Sequence, residues 1–309
     1  MQKNFNLDSF IKGYVTQRPE SLLKPDFEKY RDDLNKKING KKVLVIGGAG
    51  TIGSYYIKAI LKYKIKKLVV VDINENGLTE LVRDLRSSVN NEYNIPESFT
   101  TYPVDFGNHI FEKLFRFHGP FDIVANFAAL KHVRSGKDSF SIESMINNNV
   151  FKTQKLLDLL TLFPPEHFFC VSTDKAANPV NIMGASKKLM EDLIMSYSGK
   201  ITVTTARFAN VAFSNGSLPL GFIERKNKNQ PWSCPLGIKR FFVSPTEAGE
   251  LCLFVSVMGE TGDIFFPKLD PEKNMMSFDT IACNLLNYQG MKPDVFKTEE
   301  ISSVLKTLI

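Results

Sequence analysis

A chain of 309 residues with 43% apolar and 23% charged side chains can fill one large globular domain or two small ones. Its net charge of +6, from 39 Lys and Arg against 33 Asp and Glu, suits an anionic small molecule and falls short of a nucleic-acid-binding balance. The four cysteines show no CxxC spacing and no His near them in a metal-ligand pattern, which speaks against a metal site, and no apolar run of about 18 residues appears; the expectation is a cytoplasmic chain with no metal and no membrane span.

In chain order, residues 1–40 are polar and mixed, and read as an N-terminal helical extension with a helix over Asp26–Lys37. It would pack on the main body or on another subunit. From Lys42 short β-branched runs alternate with helical patterns. Strands are predicted at Val43–Ile46, Leu68–Val71, Tyr102–Asp105, Asp122–Ala125, Phe168–Val171 and Ile201–Ala206. Helices are predicted at Thr51–Lys62, Glu75–Arg86, Ser144–Leu160 and Ala185–Ser198. The basic run Lys62–Lys67 reads as a solvated turn between helix and strand. Strict alternation means an α/β fold, a doubly wound parallel sheet with helices on both faces, over residues 41–212. Residues 213–309 are richer in Gly, Pro and Asn and read as a smaller, mainly substrate-binding part. Within it, residues 245–265 are expected to pack back on the sheet domain.

Val43–Ile46 runs directly into Gly47-Gly48-Ala49-Gly50-Thr51-Ile52-Gly53 and then into a helix. Gly47, Gly50 and Gly53 are spaced GxxGxxG. Absent side chains let the backbone turn sharply and approach a pyrophosphate, with Thr51 and Ile52 opening the helix whose N-terminus faces its charge. Asp72 closes the next strand, about 20 residues past the last glycine. A carboxylate there accepts from a ribose 2′-hydroxyl and repels a 2′-phosphate, favouring NAD over NADP; the other reading is a strand-end turn residue. Asp105 and Phe106, after the third strand, either contact the adenine or simply form a turn.

Several motifs carry a resemblance to a known family: GGAGTIG (47–53), AALKHV (128–133), NNV (148–150), STDKAANP (172–179), MGASK (183–187), RFANV (207–211) and KRFF (239–242). Together they resemble the extended short-chain dehydrogenase/reductase superfamily over roughly residues 40–290. More narrowly, they are similar to bacterial nucleotide-sugar 4,6-dehydratases of the polysaccharide-biosynthesis type. The STDKAxNP and MGASK combination is much more specific than the glycine loop. The resemblance implies a Rossmann-type domain holding tightly bound, recycled NAD, with Ala128 lining the nicotinamide side. Many such enzymes carry Tyr where this chain has Met183, and a thioether cannot shuttle a proton. The Met form resembles a subgroup acting on UDP-N-acetylglucosamine. Several of that subgroup have an N-terminal membrane region, and this chain looks more like the short, configuration-retaining type.

The implied chemistry is dehydration by internal redox. Oxidation at sugar C4 acidifies C5, a base takes the C5 proton, an acid protonates the departing 6-hydroxyl, and hydride returns to C6. In that scheme Lys187 holds the nicotinamide ribose, Lys175 is the C5 base, Asp174 is the acid at O6 and Thr173 contacts O4. Burial and the charge of Lys187 would neutralise Lys175, and desolvation would keep a proton on Asp174. The O4 proton would go to Asp174 directly, through Thr173, or through water. The bland reading of Asp174 and Lys175 is a surface ion pair worth little.

Substrate contacts are expected from Lys131, His132, Asn149, Asn210, Arg240 and Lys268. Lys131 is otherwise a loop charge and His132 polar packing. Asn149 resembles the superfamily's active-site Asn, which holds a water or bends its helix. Asn210 and Arg240 match positions that contact a nucleotide diphosphate, for which the planar Arg fork is suited, whereas Phe241 and Phe242 read as core. The rival readings are a C5-inverting dehydratase, a 4-epimerase, a GDP-sugar dehydratase, or an NAD-binding sensor without chemistry. The partners expected are a nucleotide-sugar substrate and further copies of the chain through a four-helix interface. Residues 293–309 read as the start of a tail rather than its finish.

Overall fold

The computed structural model describes residues 5–88, 92–290 and, for the backbone, 296–299; of the expected tail only this last stretch lies within the described residues. The chain begins with α1 (Leu7–Phe10), a π-helical turn (Ile11–Val15), α2 (Lys24–Lys29) and α3 (Arg31–Ile38). It continues through β1 (Lys42–Ile46), α4 (Thr51–Ile60), β2 (Lys67–Asp72), α5 (Glu75–Arg86), β3 (Ser98–Pro103), α6 (His109–His118) and β4 (Ile123–Asn126). Next come α7 (Ser139–Ile146), a π-helical segment (Asn147–Phe151), α8 (Lys152–Leu162), β5 (His167–Thr173), α9 (Ile182–Ser196) and β6 (Val203–Phe208). The remainder holds β7 (Asn210–Val211), α10 (Leu218–Asn227), β8 (Trp232–Pro235), β9 (Lys239–Val243), α11 (Pro245–Met258), β10 (Ile264–Phe265), α12 (Pro271–Asn274), β11 (Met275–Ser277), α13 (Phe278–Tyr288) and β12 (Phe296–Glu299).

Two compact units form. The larger comprises Pro25–Phe208 and Ala248–Pro267. Its sheet has seven parallel strands in the order β10-β6-β5-β4-β1-β2-β3. The central strands are apolar on both faces because helices cover both, and Val43, Leu44, Val45 and Phe168 are fully buried. On one face Leu44, Val69, Val124, Phe168 and Cys170 pack with Phe111, Phe115, Leu160, Met190 and Ile194. This is an α/β fold of Rossmann type, with the chain reversing its winding between β1 and β4.

Several boundaries differ from expectation for local reasons. The third strand covers Ser98–Pro103, in register with Lys67–Asp72, so Asp105 lies beyond it. The helix expected over Asp26–Lys37 breaks at Tyr30 into α2 and α3. The fourth helical run begins earlier, at Ser139, where Asp138 accepts from the Ser141 N–H at 2.8 Å, and it is interrupted by the π-helical segment around Asn149. Helix α9 also starts early, because Asn181 caps it by accepting from the Gly184 N–H at 2.9 Å.

The smaller unit comprises the chain up to Lys24, Ala209–Glu247 and the chain from Lys268. It holds a three-stranded sheet, β11-β9-β7, and the pair β12-β8. Phe10, Ile11 and Val15 from the N-terminal segment join Phe213, Phe222, Trp232, Phe242 and Ile281 in one core. Arg18 clamps this unit: Nε and Nη2 each donate to Glu247 at 2.7 Å, and Nη2 also donates to the Phe242 carbonyl at 3.0 Å.

Candidate active site

The glycine loop is shaped by contacts that a side chain would break. Gly47 has φ +77°, and a Cβ there would stand 2.5 Å from the Ala128 nitrogen. A Cβ on Gly53 would stand 2.3 Å from the Gly47 carbonyl oxygen, which sets the close approach of α4 to the loop. Gly50 differs: only the Gly47 oxygen, at 3.4 Å, lies within 4 Å of a Cβ placed there. Its missing side chain leaves room above the loop rather than inside the protein. Thr51 and Ile52 open α4 at that edge. Asp72 ties the loop down, one carboxylate oxygen accepting from the Ala49 N–H and the other from the Asn74 N–H, both at 2.9 Å. Each oxygen keeps a lone pair for a further donor.

Ala128 donates its N–H to Asn126 Oδ1 at 3.0 Å, fixing the turn after β4. Asp105 accepts from the Gly107 N–H at 2.8 Å and from Lys152 Nζ at 2.5 Å. Partial burial opposes its ionisation, but these two donors outweigh burial and bring its pKa below the usual range. Phe106, for which an adenine contact and a simple turn were both open, packs its ring in the core with Phe111 and Phe115. Any contact from this stretch therefore falls to its backbone or to Asp105.

At the C-terminal end of β5, Thr173, Asp174 and Lys175 form one cluster. Thr173 Oγ1 donates to Asp174 Oδ1 at 2.8 Å, and Lys175 Nζ donates to the same oxygen at 3.1 Å. The Asp174 and Lys175 side chains are 52% and 41% exposed. The burial expected to neutralise Lys175 is thus not built into the protein alone. Met183, in the first turn of α9, is 4% exposed and presents only apolar bulk. Its carbonyl accepts from Ser186 Oγ at 2.8 Å.

Lys187 is buried and turned toward β5. Its Nζ donates to the Val171 carbonyl at 2.9 Å and approaches Met190 Sδ at 3.4 Å. Burial pushes its ammonium pKa down, with Cys170 and Glu191 opposing. Asn149, expected to touch substrate, is 1% exposed. It accepts from the Leu130 N–H and donates to the Leu130 carbonyl, both at 3.0 Å, and donates to Ser186 Oγ at 3.1 Å. The π-helical segment delivers it there, joining the Ala128–Val133 loop to α9. On that loop Lys131 and His132 are exposed. Neighbouring protein atoms still crowd the Lys131 ammonium, and that desolvation pushes its pKa down.

The family profile of polysaccharide biosynthesis proteins matches residues 43–304. The chain belongs to that family. Among relatives of the chain is MJ1061 of Methanocaldococcus jannaschii, described as an uncharacterized membrane protein. It is 32% identical over 85% of this chain and 77% of its own length. The probable polysaccharide biosynthesis protein EpsC of Bacillus subtilis is 28% identical over 87% of this chain and 43% of its own, so the chain spans less than half of that relative. The solved structure of Pen from Bacillus thuringiensis superposes with a TM-score of 0.73 at 25% identity, covering 85% of this chain and 78% of that one. Among the described residues of this family member, no helix is long and apolar enough to cross a membrane, and no group of three potential metal ligands occurs.

The remaining candidates of this polysaccharide biosynthesis protein lie in the smaller unit. Asn210 on β7 donates to the Phe241 carbonyl at 3.4 Å. Arg240, exposed on β9, donates to the Lys239 carbonyl at 2.9 Å. Lys268 is exposed just past the boundary. Phe242 is core. Sequence reasoning passed over the pair of buried Glu191 on α9 and partly buried Arg207 on β6. The available signal was the four-residue spacing from Lys187 to Glu191, which places both on one helix face.

Proposed function

We propose that this chain is an NAD-dependent 4,6-dehydratase of UDP-N-acetylglucosamine, retaining the configuration at C5, in the cytoplasmic synthesis of surface-glycan sugars. The observation that carries the reading is the convergence of Thr173 Oγ1 and Lys175 Nζ on Asp174 Oδ1, at 2.8 and 3.1 Å. A hydroxyl, an acid and an amine stand together where α/β enzymes place their chemistry. Met183 takes no part in proton transfer.

The glycine loop fits a dinucleotide. Gly50 leaves open the volume a side chain would fill, and Asp72 retains acceptor capacity for ribose hydroxyls. Gly47, Gly50, Thr51, Ile52 and Gly53 would hold the pyrophosphate, and Lys187 the nicotinamide ribose. When bound, NAD supplies reversible hydride transfer.

The side chains account for the protons. Asp174 takes the O4 proton through Thr173 as C4 is oxidised. It then gives that proton to O6, which leaves as water. Lys175, once substrate covers it, takes the C5 proton and, after exchange with solvent, delivers a proton to the same face, which gives retention. The O4 proton thus leaves in the water, and both side chains end as they began. Asn149 acts as a positioning residue through Leu130 and Ser186. Lys131 and His132, and from the smaller unit Asn210, Arg240 and Lys268, are the proposed contacts to the substrate.

The test is incubation of purified protein with UDP-N-acetylglucosamine in D2O, first without added NAD, followed by NMR and mass spectrometry. Loss of one water, a C6 methyl signal and deuterium at C5 are expected. An unchanged mass with an inverted C4 overturns dehydration in favour of epimerisation. No reaction after adding NAD, or with GDP-N-acetylglucosamine, overturns the enzyme reading in favour of a sensor.

A further inference from the structure

Glu191 and Arg207 have no place in the chemistry above, yet their contact is a two-pronged fork. Arg207 Nε donates to one Glu191 oxygen at 2.9 Å and Nη2 to the other at 2.6 Å. The Glu191 side chain is 1% exposed and that of Arg207 20%. Glu191 follows Lys187 by four residues on α9, so the two side chains occupy the same buried helix face. Arg207 comes from β6, where it pairs in register with Ser172, one residue before Thr173. The fork thus ties the Lys187 face of α9 to the strand beside the reacting cluster.

A buried ammonium needs an anion nearby or it discharges. The groups that act on Lys187 are Cys170 on β5 and Glu191 on its own helix. Burial pushes the Cys170 thiol up to about 11, so it is uncharged at neutral pH. Glu191 is the carboxyl group on the same helix face, four residues from Lys187 and gripped by a guanidinium through both oxygens. Arg207 holds it from the far side, and that guanidinium also senses Asp192.

We propose that the Arg207–Glu191 fork is the positioning device for Lys187, holding a carboxylate one helical turn away so that the buried ammonium stays charged and directed at the end of β5. The fork therefore governs the residue that would hold the nicotinamide ribose, and to that extent the inference rests on the function proposed above.

The test is read on protein labelled with 13C at lysine, without cofactor or substrate. The Lys187 Cε resonance, assigned by its loss in Lys187→Arg, is titrated in the parent, in Glu191→Gln and in Glu191→Asp. A midpoint lowered by about one pH unit or more is expected in Glu191→Gln, with Glu191→Asp between it and the parent. Coincident midpoints in the parent and a folded Glu191→Gln overturn the proposal. If Glu191→Gln does not fold, Glu191→Asp decides: a parent-like midpoint overturns, a lowered one supports. An inactive parent with a shifted Glu191→Gln titration overturns only the reading of function. An active parent with coincident titrations overturns only this proposal.

Discussion

Strand β5 and its following turn hold polar chemistry in two settings. Along the strand and beneath α9, His167, Lys187 and the Glu191–Arg207 fork are buried and fully engaged. One residue past the strand, Asp174 and Lys175 form an ion pair with each side chain about half open to water. The dry groups are organised before any ligand arrives, so their contacts belong to the stability of the fold. The wet pair contributes little to stability, and in the proposed reaction it acts only once substrate covers it. Substitutions in the two settings should therefore fail different assays.

The largest expected effect lies on the wet side. Lys175→Gln lowers kcat/KM for the sugar nucleotide by about 10²–10⁴, the usual worth of a positioned acid or base. Its urea unfolding free energy changes by no more than about 1 kcal/mol, as for other exposed pairs. A matching loss of stability and activity would erase the distinction. On the dry side, Arg207→Ala leaves the Glu191 carboxylate buried without its partner and costs about 3 kcal/mol of unfolding free energy. An unchanged denaturation midpoint would place Glu191 in contact with water.

His167 provides a pH version of the dry case. Burial first, and the charge of Lys37 second, lower its pKa to about 4 from an ordinary 6.5, and its Nε2 lies 2.7 Å from Thr204 Oγ1. The folded state keeps the ring neutral while the unfolded chain takes up a proton below pH 6.5. Stability is therefore full above about 6.5 and falls as pH drops toward about 4, by about 3 kcal/mol in total. His167→Gln removes this acid limb. Urea midpoints measured across that window check it; a limb that persists in the variant assigns it to other groups.

The glycine loop repeats the comparison on a smaller scale. Gly53→Ala forces a Cβ against the Gly47 carbonyl and destabilises the fold. Gly50→Ala meets little protein and leaves stability near the parent, while weakening NAD binding about tenfold, or about 1.4 kcal/mol. Calorimetric titration of NAD into the two variants separates the cases. Equal affinity in Gly50→Ala and the parent would mean that the space above Gly50 is not where the dinucleotide lies.

Much of this was legible in the sequence because the signals were local. The alternation of β-branched runs with helical periods gave the parallel sheet, and the glycine spacing followed directly from the first strand. The adjacency of Asp174 and Lys175 in the chain placed them together without any knowledge of the fold. What was not legible depended on distant partners. The Glu191–Arg207 fork joins a helix to a later strand, and neither residue stands out alone. Asn149 reads as a substrate ligand, a water holder or a residue that bends its helix, and only the fold shows its amide on the Leu130 backbone within a π-helical segment. For the Asp174–Lys175 pair the sequence left both a covered site and a surface ion pair open, because the apolar strand before it does not tell whether the next residue faces water; the structure has the exposed pair.

The smallest expected effect is at Met183, which stands between the two settings. It is buried like the dry groups yet occupies the position where a proton-transferring phenol stands in the resembling enzymes. If Asp174 and Thr173 carry the O4 proton, the sulfur does no chemistry and only fills space. Met183→Leu then keeps kcat within about threefold, and the near-isosteric swap costs less than about 1.5 kcal/mol of stability. Met183→Tyr is the sharper variant, because it adds a phenol beside the existing route and should change the pH–rate profile. A Met183→Leu enzyme slowed more than about tenfold would show that the thioether contributes to the reaction. An unaltered profile in Met183→Tyr would remove the support for moving the O4 proton to Asp174. Retained rate in the first variant and an altered profile in the second would assign the lost role of the phenol to the exposed cluster.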